Sequence, residues 1–430
     1  MSELKELPEH WAIVRLAQLN QRVTSSINPK DFPDEIFEYY SIPDYQKKQK
    51  PSITKGSEID SLKLVLSPNT ILFGKLNPRV QKVWQVQPSS GVRQIGSTEW
   101  LPILPPETVD SRFVYYLAWS DYVMPIAKSL VSGSTPSRQR VDPSSFYKIK
   151  VPLPPLLEQK SIAYVLSSVE RAIELQEQII QRTTELKQAL MQKLFSEGLR
   201  GEPQKETEIG LVPESWEVVE LGSLFAKQPQ NGLYKPKSEY GSGTQILRID
   251  DFSNDGDVVT SAANCVALEP SEIETYGLGP GDIVINRVNS LSHLGKTALI
   301  GEIIQEMVFE SNMMRFSINH SEAHKEFIFR YLNSPLAKTQ IIGTAKRAVA
   351  QSSINQGDVR SIIILKPSLE EQREIVTALD STEAKIVSAS DNISVLQDLF
   401  RTFLHQLMTA EIRVDISNSL FSKSPLSHDK

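Results

Sequence analysis

The chain repeats itself, and a duplicated chain is constrained to fold as two similar units. "LPEHWAIVRLAQL" (Leu7–Leu19) matches "VPESWEVVELGSL" (Val212–Leu224), so that Pro8, Trp11, Val14, Leu16 and Leu19 fall on Pro213, Trp216, Val219, Leu221 and Leu224 at an offset of 205. "PPLLEQKSIAYVLSS" (Pro154–Ser168) matches "PSLEEQREIVTALDS" (Pro367–Ser381) at an offset of 213, placing Glu158-Gln159-Lys160 on Glu371-Gln372-Arg373. Between them, "VSGST" (Val131–Thr135) resembles "IIGTA" (Ile341–Ala345) at 210. Blocks in one order with slightly drifting offsets mean two tandem copies that differ by small loop insertions. Each copy has a globular part followed by a long uninterrupted segment.

Those long segments carry a heptad pattern. In the second copy Ile375, Leu379, Thr382, Ile386, Ala389, Ile393, Leu396, Phe400, Phe403 and Leu407 are spaced alternately by four and three, the 3.5-residue period of a helix-pairing seam. The first copy gives Ile162, Leu166, Val169, Ile173, Gln176, Ile180, Thr183, Lys187, Leu190 and Leu194. Its polar Gln176, Thr183 and Lys187 weaken the middle of the seam and can set its register. Pro154, Pro155 and Pro367 stand ahead of the helices, where proline is tolerated, and Gly198 supplies a stop for the first. A helix over Leu156–Glu197 would be roughly 60 Å long. Its apolar stripe needs a partner, and the other copy's helix supplies one. Two halves related by an approximate two-fold axis would run the helices antiparallel, with the globular parts at opposite ends.

Bulk composition sets few further limits. The 430 residues imply two to four domains, and 40% hydrophobic with 23% charged residues is ordinary globular composition. One cysteine, Cys265, excludes an internal disulfide framework and a cysteine-rich zinc site, and fits a cytoplasmic setting. No run of about 18 apolar residues exists, so no membrane span is expected. The net charge of −6 is unlike that of most DNA binders. The charge is segregated, however: residues 61–140 hold nine Lys/Arg against four Asp/Glu, whereas residues 1–60 hold eight against ten.

The globular parts, residues 1–150 and 205–361, read as mixed α/β. "NTILFGKL" (Asn69–Leu76) and "GDIVINRV" (Gly281–Val288) have the pattern of strands. "FVYYLAWS" and "FIFRYLNS", from Phe113 and Phe327, have that of short amphipathic helices. Polar loops follow the strands: Lys75, Asn77, Arg79 and Lys82 in the first copy, and Asn286, Arg287, Asn289, His293 and Lys296 in the second. A second polar loop precedes each long helix, with Arg138, Gln139 and Arg140 in one copy and Lys346, Arg347 and Gln351 in the other. Asn and Gln suit adenine edges, Arg suits guanine, and Lys and Arg suit phosphates. Solvated loops have the same composition.

Catalytic patterns are missing. "HLGKT" (His293–Thr297) ends like a phosphate loop, but Ser290 stands where its first glycine should be. No G-x-G-x-x-G follows a strand. "NPKDF" and "NPRV" lack the second proline of an amino-methyltransferase tetrapeptide. His320 and His324 do not form the H-E-x-x-H zinc pattern, and no metal site is expected.

Taken together, these blocks resemble the specificity subunits of type I restriction–modification systems over nearly the whole chain. The resemblance rests on "IKVPLPPLLEQKSIAYVLSSVERAI" with "LKQALMQKLFSEGLRG", on "LKPSLEEQREIVTALDS" ending in "EIRV", on the paired tryptophan openings, and on "ILFGKLNPRVQKVW" and "GDIVINRVNS" with "GKTALI". The second copy departs from the pattern at Ser368, which replaces the second proline, and at Lys366.

The resemblance implies two mixed α/β target-recognition domains, residues 1–150 and 205–361, each reading one half of a bipartite double-stranded DNA site. They would be joined by two long antiparallel coiled-coil-like spacer helices, residues 151–204 and 362–414, ahead of a disordered tail, 415–430. It implies a prokaryotic, cytoplasmic, non-catalytic chain that docks two methyltransferase subunits and works with restriction subunits. The partners would bind S-adenosylmethionine, and ATP with Mg; this chain would hold no cofactor. Two other readings stand beside it: a duplicated adaptor that binds proteins without reading DNA, and a nucleotide-dependent enzyme built on Gly295-Lys296-Thr297.

Overall fold

The computed structural model describes residues 7–21, 25–88, 91–132, 138–207, 209–258, 264–303, 305–347 and 351–414. The expected tail, 415–430, lies outside them. The chain divides into two units, one holding residues up to Glu177 and from Asp391, the other Gln178–Ser390. Both long segments are helical, over Leu156–Leu194 and Leu369–Met408, and each contributes one part to each unit. All ten seam positions named for each helix are buried or half-buried, and Ile162, Leu166, Ile375 and Leu379 among them pack into the globular cores.

In the first unit a three-stranded sheet has the strand Ile71–Gly74 at its centre, between Val83–Gln85 and Trp100–Ile103. A five-stranded sheet takes the order Ser26–Ile27, Lys63–Val65, Arg93–Gly96, Ile36–Tyr40, Ser52–Lys55. The short helix Ser111–Trp119 packs its Phe113, Tyr116 and Leu117 into a core with Ile71, Phe73, Ile162 and Leu166. Leu407 and Met408, from the end of the second long helix, are buried in that same core.

The second unit repeats this plan. Its strand Asp282–Asn286 lies between Thr297–Leu299 and Met313–Ile318, with Phe225–Asn231 outermost. The helix Lys325–Leu332 corresponds to Ser111–Trp119 and buries Phe327, Ile328 and Tyr331. Met191, Leu194 and Phe195, from the end of the first long helix, enter this core beside Ile375 and Leu379. Each globular part is therefore sealed by the start of its own long helix and the end of the other.

The repeated sequence blocks meet in space. Strand Ala12–Arg15 pairs antiparallel with Lys150–Leu153, and Glu217–Glu220 with Ile363–Lys366. Each pairing brings the opening tryptophan to the first turn of the long helix. Glu158 Oε2 accepts the indole N–H of Trp11 at 3.0 Å, and Glu371 Oε2 accepts that of Trp216 at 3.1 Å. The next residue faces the other way. Gln159 Oε1 accepts the backbone N–H of Asp110 at 2.8 Å, and Gln372 Oε1 that of His324 at 2.7 Å. Asp110 and His324 are the N-caps of the two short helices. The Glu-Gln pair thus fastens the chain's opening and a helix start to one point, and its recurrence has a mechanical reason.

Gly198 stands four residues past the helix end rather than at it, because the helix stops at Leu194. Its φ is +65°, and a Cβ there would lie 2.7 Å from Glu371 Oε1 and 2.8 Å from the Trp216 ring. Glycine is required both by the left-handed backbone and by the close approach to that joint.

Candidate nucleic-acid interface

The two polar loops of each half, far apart in sequence, are hydrogen-bonded to each other. In the first half the chain leaves strand Ile71–Gly74 into the loop 75–81, which Lys82 closes. The Asn77 N–H donates to the Gln139 carbonyl at 2.8 Å, and the Val141 N–H to the Lys75 carbonyl at 3.0 Å. A β-bridge pairs Leu76 with Arg140. Arg79, Arg138 and Arg140 are exposed on this strip, with Lys75, Asn77 and Gln139 half-buried. Asn77 sits at φ +50°, a conformation that asparagine tolerates better than most residues. Two of the cations are engaged locally. The Arg140 guanidinium holds Glu99 through Nε and Nη2 at 3.0–3.2 Å, and Lys75 Nζ donates to the Thr98 carbonyl at 2.9 Å.

The second half has the same frame. The Ile354 N–H donates to the Arg287 carbonyl at 2.9 Å. Val288–Asn289 pairs with Ser352–Ser353, which pairs in turn with Lys346–Arg347. Lys346, Arg347 and Gln351 are exposed, and Arg287 and Asn289 are half-buried. Arg287 Nη1 donates to the Ser311 carbonyl at 3.0 Å, which orients its guanidinium. His293 is exposed and shares its Nδ1 with Ser290 and Ser292.

Three expected contact residues are placed differently. Asn286 is 0% exposed, because it is the last residue of a strand buried on both faces. Lys82 is 3% exposed, and its ammonium donates to the carbonyls of Val80, Leu76 and Asn77 at 2.8, 3.2 and 3.4 Å. Lys296 is 7% exposed; its ammonium donates to the carbonyls of Ile249 and Phe252, both at 2.7 Å, and lies 4.4 Å from the Phe252 ring centre. Burial lowers the pKa of both lysines from the ordinary value. Neither ammonium is presented to a ligand. The nucleotide reading calls for a free Lys296 at the Gly295-Lys296-Thr297 turn, and here its ammonium is turned inward onto backbone carbonyls.

Two exposed residues at this end escaped the sequence reading. Strands Phe225–Asn231 and Asp282–Asn286 both pair with Met313–Ile318, the first with two register shifts along its length, and Asn231 and Asn286 end beside Met314 and Met313. Just beyond Asn231, Tyr234 is 78% exposed. Gly232 permits the turn: a Cβ there would lie 2.2 Å from the Glu310 carbonyl oxygen. Arg248 follows strand Tyr240–Leu247, whose Leu247 pairs with Phe309, and its Nε lies 3.5 Å from Glu310. The Asn231-Gly232 turn signal was legible in the sequence; that its next aromatic points outward was not.

Comparison with known proteins agrees with the duplication. The family model described as the type I restriction modification DNA specificity domain matches twice, over residues 8–185 and 213–395. The MjaVIII type I restriction enzyme specificity subunit of Methanocaldococcus jannaschii is 25% identical over 422 residues, covering 95% of this chain and 94% of that one. The putative MjaX specificity subunit of the same organism is 29% identical over 222 residues, about half of each chain (52% and 51%). A chain from a structure of the type I restriction–modification system, titled for its complex assembly and conformational transition, superposes with a TM-score of 0.62 at 20% identity, covering 95% of this chain and all of that one. The two matched segments span most of the sequence, and the chain belongs to the type I restriction modification DNA specificity family.

Proposed function

We propose that this chain is the DNA-reading subunit of a type I restriction–modification enzyme, each half reading one block of a bipartite double-stranded site. The observation that carries the reading is the recurrence of one backbone frame: Val141 N–H to Lys75 carbonyl in one half, Ile354 N–H to Arg287 carbonyl in the other. Each frame joins two cation- and amide-rich loops into one strip. The contact residues are Arg79, Arg138, Asn77 and Gln139 on one strip, and Arg287, Asn289, Lys346, Arg347 and Gln351 on the other. Lys75 and Arg140, being engaged locally, shape the first. A duplicated protein adaptor would need no such strip, and the family match supports DNA as the ligand.

The long helices serve as spacer and docking surface. Lys187 pairs with Glu383 and Arg200 with Glu374, so rising numbers on one segment meet falling numbers on the other. This supports antiparallel, coiled-coil-like pairing. A rigid link raises the effective concentration of the second reader without new contacts. Leu157, Tyr164, Leu175, Ile179 and Leu186 are exposed on the first long helix. At 100° per residue they fall within about 60° of arc, away from the seam. Such a stripe suits an apolar face on a partner, and we assign it to methyltransferase subunits. In this reading S-adenosylmethionine, ATP and Mg are bound by the methyltransferase and restriction subunits, and no reaction is catalysed by this chain.

Mapping of methylated adenines across the genome of a host carrying the chain with its methyltransferase partner tests the proposal. We expect one motif of two short blocks separated by a fixed number of unread base pairs. A contiguous motif, or no motif, overturns it.

A further inference from the structure

Lys82 and Lys296 occupy one position in the two halves. The Gly74 N–H donates to the Lys82 carbonyl at 2.8 Å, and the Asn286 N–H to the Lys296 carbonyl at 2.9 Å. Each residue closes the polar loop that leaves the central strand and stands just before the strand that returns. Each side chain turns inward and gives its ammonium to backbone carbonyls, and among the described residues no carboxylate lies within ion-pair distance of either, Asp250 and Asp251 acting on Lys296 only from farther off. We propose that these lysines are positioning residues for DNA reading: internal cations that set the shape of the reading loops without touching DNA.

The chemistry favours this role over a phosphate contact. An ammonium has three donors. Lys82 spends them on Val80, Leu76 and Asn77, three carbonyls of the turn that presents Arg79 and Asn77. Bringing that ammonium to a phosphate would strand those carbonyls and open the turn. Lys296 works across two segments. Its loop is longer by two residues, nine (287–295) against seven (75–81), and its ammonium reaches the carbonyls of Ile249 and Phe252 and the Phe252 ring. It thereby fastens the Arg248-bearing segment to the loop that carries Arg287 and Asn289. The desolvation of each cation, which lowers its pKa, is the cost of holding these bends, offset by charge-dipole contacts. An asparagine or serine could not bridge so many acceptors; a buried methionine would fill the space and release them.

The inference rests on the DNA-reading proposal, and one experiment separates the two. The full chain, in complex with methyltransferase subunits, is challenged with random-sequence duplexes of about four helical turns, and the bound fraction is sequenced. Wild type is expected to enrich two blocks; enrichment of nothing sinks the reading itself. Lys82→Met is expected to lower discrimination at one block by roughly tenfold or more, the scale of one misread base pair, and Lys296→Met at the other. The untouched block reports that the chain is folded. The salt dependence of binding is expected to stay unchanged, whereas a lost phosphate contact would reduce the slope of log affinity against log salt by about one. A reduced slope, intact discrimination at both blocks, or loss of both blocks from either substitution overturns the positioning role.

Discussion

The Lys187 ammonium lies 2.8 Å from the Glu383 carboxylate, joining one long helix to the other within the second unit. Arg330, from the short helix Lys325–Leu332, donates to the same carboxylate at 2.6 and 2.7 Å and also to Asp380. Burial alone would raise the Glu383 pKa, but the hydrogen bonds and charges of Arg330 and Lys187 outweigh it and bring it down to about 2. The polar seam position that looked like a weak point is therefore a cross-link.

Glu383→Gln should destabilise the second unit by about 2 kcal/mol at neutral pH. It leaves two cations, Lys187 and Arg330, without their shared partner, and partial exposure of the site tempers the full cost of breaking a buried pair. The folded-state pKa lies below the ordinary 4.5. Its contribution is therefore complete above about pH 4.5 and lost as pH falls toward 2. Denaturant unfolding reads this cost when followed by the fluorescence of Trp216, the one tryptophan beyond residue 119, in a chain whose other four tryptophans are replaced by phenylalanine. A wild-type advantage that does not shrink between pH 5 and pH 3 contradicts the account.

The corresponding carboxylate in the first unit behaves oppositely. Glu170 accepts the Tyr116 hydroxyl at 2.5 Å, and the Tyr116 ring lies 6.0 Å from Phe400, the seam residue that matches Lys187. Burial raises the Glu170 pKa, opposed by the hydrogen bonds of Tyr116 and Tyr115. A raised acid stabilises the fold fully below its unfolded pKa and loses that contribution as pH rises through the folded one. Glu170→Gln, which keeps an acceptor and removes the charge, should cost under about 1 kcal/mol at pH 7. Its relative cost should be larger at pH 4 than at pH 8. Unfolding midpoints across that range check the sign.

Removing the indole donor and its acceptor should be strongly non-additive. Trp216→Phe loses one hydrogen bond to Glu371, and Glu371→Gln turns an amide toward a donor. Each should cost about 1–3 kcal/mol. The double variant should recover about 1 kcal/mol of their sum. Additive costs in a denaturation cycle would mean that the joint is incidental.

Much of the architecture was legible because the repeat and the heptads are periodic, and periodicity survives in one dimension. The Trp11 and Trp216 openings and the Glu-Gln blocks were visible as repeats, but that each tryptophan bonds its own glutamate depends on strand pairing some 140 residues apart. The strip residues stand in loops that are separate in the sequence; that the loops join is a product of the fold. Lys82 and Lys296 read as surface cations since lysine is rarely buried without a partner. Their partners are backbone carbonyls, which carry no sequence signature.

Arg79→Ala and Arg287→Ala should each affect one block. Arg79 is exposed at the tip of its loop, so its loss should leave stability within about 0.5 kcal/mol. A base contact would cost about 1–3 kcal/mol and relax one position of the motif. Arg287 is oriented by the Ser311 carbonyl, which makes it the better candidate for bidentate base contact. Equal weakening on all sequences would reassign either residue to phosphate.

If the paired helices set the unread spacing, lengthening both must change it. Counting antiparallel from the Lys187–Glu383 pair puts Val387 opposite Thr183. Four residues inserted after each add about 6 Å of helix, near two base pairs at ~3.4 Å per step. The extra rotation is about 40° beyond a full turn, small enough for the seam to continue. The methylated motif should then keep both blocks and gain about two unread base pairs. The same insertion after Thr183 alone moves Lys187 out of reach of Glu383 and offsets every later seam residue, so methylation should be lost. A doubly lengthened chain that methylates at the original spacing would show that the distance between blocks is set elsewhere.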